Sequence, residues 1–131
     1  MSVLLDTNAY SALKRGHAPL ATLVRRSPEL LVSSVVLGEL LYGFRHGSQQ
    51  ERNMKELRAF LASTYVRVLS ITPLTADRYS RVALALRLKG TPIPTNDIWI
   101  AAHAMETGTE LVSFDAHFSH VDGLVLTKLE R

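Results

Sequence analysis

The 131-residue chain contains no cysteine, which excludes disulfides and thiolate metal ligands and fits a reducing compartment. No apolar run approaches the roughly 18 residues that a bilayer-crossing helix needs. The chain starts with Val3-Leu4-Leu5 and then Asp6, without a basic leader or long apolar segment before them. We therefore expect no signal peptide, no membrane span and a cytoplasmic location. Internal repeats, low-complexity tracts and long linkers are also missing, so residues 1–131 are expected to form one domain. Charge of one sign is not abundant either: the formal net charge is +3 and the pI about 9.5. That excess alone is a weak pointer to an anionic partner.

What the chain does have is a regular alternation of apolar runs and amphipathic segments. Val3–Leu5, Leu30–Val32, Val66–Leu69 and Leu111–Ser113 read as short buried strands, with Leu124–Leu126 as a fifth. Between them lie predicted helices over Asn8–Lys14, Pro19–Arg26, Ser34–Phe44, Gln49–Ala62, Pro73–Lys89 and Ile98–Thr107. Asn8, Ser34 and Asp97 are placed to cap three of these, and Gly16, Gly47, Gly90 and Gly108 to stop four. Pro92 and Pro94 keep the stretch before Asp97 out of regular helix. Strands that alternate with helices predict an α/β fold of three layers, a mostly parallel sheet of four to five strands flanked by helices.

Three acids fall where open parallel sheets place their chemistry, at strand ends or helix starts: Asp6, Asp97 and Asp115. Glu39 lies inside a helix, beside its apolar stripe. Three have an ordinary use alone, Asp97 as a cap, Asp115 as a turn residue and Glu39 as a solvated acid, whereas Asp6, directly after a strand, has fewer structural uses. Together they carry a cost, because two like charges about 4 Å apart repel by roughly 4 kcal/mol at an effective dielectric of about 20. Such a cluster persists by keeping protons or by holding a cation. Oxygen donors without thiolate or a histidine pair suit Mg²⁺ or Mn²⁺ better than Zn²⁺. With four of the twelve acids drawn around a cation, fifteen Lys and Arg face eight acids, and only then does a nucleic-acid substrate become more plausible.

Four segments carry a family resemblance. They are Leu4-Leu5-Asp6-Thr7-Asn8, Val35-Val36-Leu37-Gly38-Glu39-Leu40-Leu41-Tyr42-Gly43, Asn96-Asp97-Ile98-Trp99-Ile100-Ala101-Ala102-His103-Ala104 and Leu111-Val112-Ser113-Phe114-Asp115-Ala116-His117-Phe118. In this order and at these separations the chain resembles the PIN-domain ribonucleases, and within them the VapC-type toxins of toxin–antitoxin pairs. The resemblance implies metal-dependent endoribonuclease activity on RNA, a homodimer and a VapB-like antitoxin. It implies that Asp6 and Asp97 are the most direct metal ligands and that Glu39 and Asp115 support them. Thr7 and Asn8 match positions that steady the first Asp. Ser113 stands where the family usually has Thr, and Phe114 where a small polar residue is common.

Other residues are expected to be bystanders. His103 lies on a different helix face from Asp97 and reads as structural. Trp99 reads as core or dimer surface, and Trp99, Met105 and Leu88 look like surplus apolar surface for a dimer. His117 and His120 frame Phe118 and are candidates for a rim contact to RNA. The many surface Arg and Lys read mainly as a solvated face, without indicating which hold phosphate. A non-catalytic PIN-like RNA-binding domain and a housekeeping RNA-processing nuclease are the alternatives. A phosphoacceptor receiver would need an acidic pair near strand one and a Lys after a late strand. A dehalogenase-type phosphatase would need Asp where Asn8 stands.

Overall fold

The apolar runs become the strands β1 (Val3–Leu5), β2 (Leu30–Ser33), β3 (Val66–Leu69) and β4 (Glu110–Ser113) in a computed structural model that describes all 131 residues. A fifth, β5, spans Leu126–Lys128. The helices are α1 (Thr7–Lys14), α2 (Ala18–Arg25), α3 (Ser34–His46), α4 (Gln50–Leu61), α5 (Pro73–Lys89) and α6 (Thr95–Thr107). All strand pairs are parallel, in the order β3-β2-β1-β4-β5. Leu4 of β1 pairs with Leu31 on one side and Leu111 on the other, so fully buried leucines run across the middle of the sheet. This is the runs' physical reason: a central parallel strand is covered on both faces and has no polar side.

The chain builds the sheet outward in one direction, β1 to β2 to β3, then crosses to the other side of β1 for β4. The reversal leaves a crevice between the carboxyl ends of β1 and β4, where open α/β sheets bind their ligands. No helix is long and apolar enough to cross a membrane.

Several boundaries differ from expectation for local reasons. Asp6, not Asn8, caps α1, its side chain accepting from the Ala9 N–H at 2.8 Å. Ser33 rather than Ser34 caps α3, which runs on to His46. α6 starts at Thr95, two residues before Asp97, because the Pro94 carbonyl accepts the N–H groups of Asp97 and Ile98. Proline suits that place, since its fixed φ already leads into a helix. Asp97 is therefore free of capping duty. β5 lies two residues later than predicted, beyond a turn at Gly123 whose φ of +83° favours glycine. Of the three apolar residues expected outside, only Leu88 is exposed. Trp99 is half-buried and stacks on Tyr79 at 4.1 Å between centroids, and Met105 packs against the core.

Candidate active site

Asp6 leaves β1 and turns directly into α1, which places its carboxylate at the crevice with only 6% exposure. One oxygen caps α1; the other accepts from the Ser113 hydroxyl at the end of β4. The same Ser113 oxygen accepts the Asp115 N–H at 2.9 Å. One serine thus ties the two strand ends together, and the hydroxyl is the part of the expected threonine that matters here. Phe114 turns away, packing edge-on against His17 at 5.2 Å between ring centroids. It does not line the acidic pocket.

Glu39 reaches the pocket from the second turn of α3. The Thr7 hydroxyl donates to one of its oxygens and the Asn96 amide donates to the other at 3.2 Å. Thr7 accordingly positions Glu39, not Asp6 as the resemblance suggested. Asn8 lines the pocket and is exposed, its side chain making no hydrogen bond to Asp6. Asp97, in the first turn of α6, comes from the opposite wall. Asp115 caps the short 3-10 turn Ala116–His120 through the His117 N–H at 2.8 Å.

The four acids, drawn from four separate stretches of chain, border one open pocket of about 500 Å³. Burial raises the pKa of both Asp6 and Asp97 above the usual 3.8, and their acidic neighbours push the same way. For Asp6 those neighbours are Asp97 and Asp115; for Asp97 they are Asp115 and Glu39. Hydrogen bonds from Ser113 and Ala9 to Asp6, and from His117 to Asp97, work against the rise without cancelling it. The pocket therefore has an excess of negative charge that its own donors do not offset.

His117 was expected at most at an RNA rim, and it sits inside this pocket. Its Nδ1 donates to Asp97 Oδ2 at 3.0 Å and lies 3.1 Å from Asp115 Oδ1. Ligand atoms of Asp97, Asp115 and His117 all fall within 4.8 Å of one another, close enough to share a cation. The donor set is oxygen-rich and short of positive charge, which fits a hard divalent cation. The sequence signal for His117 was its position two residues after Asp115, across a tight turn. Asn96 was visible in the resemblance but its bond to Glu39 was not.

The sequence pattern of the PIN domain matches residues 3–124. The chain belongs to the PIN domain family. The PIN-domain relatives include Ribonuclease VapC2 of Haemophilus influenzae, 32% identical over 86% of each chain. A tRNA(fMet)-specific endonuclease VapC of Shigella flexneri is 30% identical over 73% of this chain and 72% of its own. Among solved structures, VapBC2 of Rickettsia felis bound to a promoter DNA fragment superposes with a TM-score of 0.85. It is 26% identical and covers 99% of this chain and 100% of the other. That superposition places the α/β architecture expected from the sequence among PIN-domain folds.

Proposed function

We propose that this protein is a metal-dependent endoribonuclease of the VapC toxin type, acting in the cytoplasm as one nuclease domain over residues 1–131. The observation that carries this reading is the gathering of Asp6, Glu39, Asp97 and Asp115 into one pocket at the β1/β4 crevice, with Asp6 and Asp97 at its buried side. The names of the relatives support the nuclease, and the solved VapBC complex supports a protein partner of the VapB antitoxin kind.

Asp6 and Asp97 would hold Mg²⁺ or Mn²⁺ most directly, with Glu39 and Asp115 supporting and His117 available beside them. The cation would supply neutralisation of the phosphodiester and a more acidic water. The chain's own contribution is preorganisation. Thr7 and Asn96 fix both oxygens of Glu39, and Ser113 and the Ala9 N–H fix both of Asp6, so little reorientation remains when substrate arrives. Hydrolysis adds water across one P–O bond of the RNA backbone, giving two shorter strands. An empty acidic pocket repels a polyanion, so substrate entry depends on the cation. An antitoxin arginine would compete for the same oxygens through charge-assisted bonds. Exposed Leu74, Leu84 and Leu88 on α5 support a homodimer.

Purified protein free of any partner should cut RNA with Mg²⁺ or Mn²⁺ and stop with EDTA. Undiminished cleavage in excess EDTA would remove the metal mechanism. Binding of RNA without cleavage under any divalent cation would favour the non-catalytic alternative.

A further inference from the structure

α1 joins two surfaces of opposite charge. Thr7 and Asn8 in its first turn border the acidic pocket. Ser11, Lys14 and Arg15 follow them at three- and four-residue spacing, so they continue the same helix face. That face runs into a second cleft, of about 410 Å³, closed by Phe44 of α3 and by Arg52, Asn53 and Glu56 of α4.

The cleft is basic and short of counter-charge. Neither Lys14 nor Arg15 makes a salt bridge, and Arg52 meets Glu56 only at 3.9 Å in an exposed pair of the kind that contributes little. The Lys14 ammonium lies over the rings of Phe60 and Tyr10, 5.0 and 5.7 Å from their centroids, which holds its stem at the cleft. Tyr10, which also lines the cleft, is 4% exposed, yet its hydroxyl has no hydrogen-bond partner. Buried hydroxyls without partners are uncommon and point to a missing one. Burial, with Glu56 adding to it, pushes this phenol up to about 12, so it remains a donor near neutral pH. Nothing in the proposed cleavage chemistry uses these groups.

We infer that this cleft is a phosphate subsite for the RNA strand, with Lys14, Arg15 and Arg52 holding a backbone phosphate close to the linkage that is cut. The inference rests on the ribonuclease reading above. A cation in the acidic pocket would neutralise only the phosphate at the cut, so the flanking phosphates of the strand call for positive charge outside it. The basic cleft supplies that charge on the same face of the same helix. Phosphate contacts position a strand without reading its sequence. An acidic protein segment is the other occupant that this charge would accept.

The test is fluorescence anisotropy with a labelled single-stranded RNA in Mg²⁺, on an Asp97→Asn background that prevents cleavage. Lys14→Gln combined with Arg15→Gln should weaken binding on the order of tenfold for RNAs of unrelated sequence. The slope of log affinity against log salt should flatten by about 0.7 for each phosphate that is no longer neutralised. Arg52→Gln and Tyr10→Phe should each weaken binding by less, while Arg87→Gln, on α5 and outside the cleft, should leave affinity nearly unchanged. Equal losses from Arg87→Gln and the cleft variants would mean only a general charge effect and would overturn the subsite. Cleft variants that bind like the parent, with the same salt slope, would overturn it too and turn attention to an acidic protein segment. The unmutated chain, assayed for cleavage in parallel, separates the two readings: if it cuts RNA while the cleft variants bind normally, only the subsite falls. If it neither binds nor cuts RNA, both fall.

Discussion

Ser33 ends β2 and Ser113 ends β4, yet the two hydroxyls serve clusters of opposite character. Ser33 faces His103, which is 1% exposed in the middle of α6. The Ser33 hydroxyl lies 2.9 Å from His103 Nδ1, and the Ser70 carbonyl lies 3.1 Å from Nε2. A carbonyl only accepts, so Nε2 carries a proton, while Nδ1 pairs with the serine hydroxyl. Both ring nitrogens are paired within the chain, as buried polar groups usually are. Ser113 instead donates to Asp6, one of four acids for which the protein supplies too little positive charge. A cluster that is complete within the chain stabilises the fold. One that is incomplete needs a ligand, and that difference separates the two histidines of the region: His103 completes a structural cluster, while His117 joins the unbalanced one.

Asparagine in place of aspartate in the unbalanced cluster should therefore cost activity and spare the fold. Asp97→Asn keeps the side-chain shape and removes one charge from the proposed metal ligands. RNA cleavage should fall by at least about a hundredfold, with a melting temperature at or above that of the parent. A variant that cuts normally would show that Asp97 does not take part.

His103→Ala should do the reverse. It leaves the Ser70 carbonyl unpaired and the Ser33 hydroxyl with only its Val35 N–H contact, and opens a cavity in the core, a loss of about 3 kcal/mol in stability by denaturant titration. Any cleavage by the molecules still folded should proceed at a near-normal rate. Unchanged stability would mean that water or local collapse satisfies the cluster as well as the ring does, and the contrast between the two serines would weaken.

Much of this arrangement is legible in the sequence because it depends on local chemistry. Apolar runs such as Leu30-Leu31-Val32 have no polar face, which suits a central strand covered on both sides, and Gly90 and Gly108 do stop α5 and α6 with positive φ. Asp6, Asp97 and Asp115 were legible because strand ends and helix starts are recognisable places, whereas Glu39, inside α3, stood out only through the family resemblance. What escaped depends on neighbours distant in sequence. Nothing near Thr7 says that it will meet Glu39, 32 residues on, and nothing near Lys14 says that Arg52 will close the same cleft. Capping assignments failed for a narrower reason: several polar residues in a row can each cap, as at Asp6-Thr7-Asn8 and Ser33-Ser34, and tertiary position decides among them.

The smallest effect expected is also the one that reads the charge imbalance most directly. Asp6 has its pKa raised by burial above the usual 3.8, so without metal the folded state prefers it protonated more than the unfolded state does. For a raised carboxyl, that contribution to stability is fully present below about 3.8 and is lost as pH rises through the folded-state value. Asp6→Asn does not titrate and retains an oxygen that can accept the Ala9 N–H. At neutral pH and without metal, the variant should melt a few degrees above the parent, and the gap should close as pH falls toward 3.8. Adding Mg²⁺ or Mn²⁺ at neutral pH should raise the parent's melting temperature more than the variant's, because a ligand stabilises only the form that binds it. A gap that stays constant with pH would assign the difference to packing rather than charge. A variant that melts well below the parent at every pH would show that the α1 cap, not the charge, dominates at Asp6.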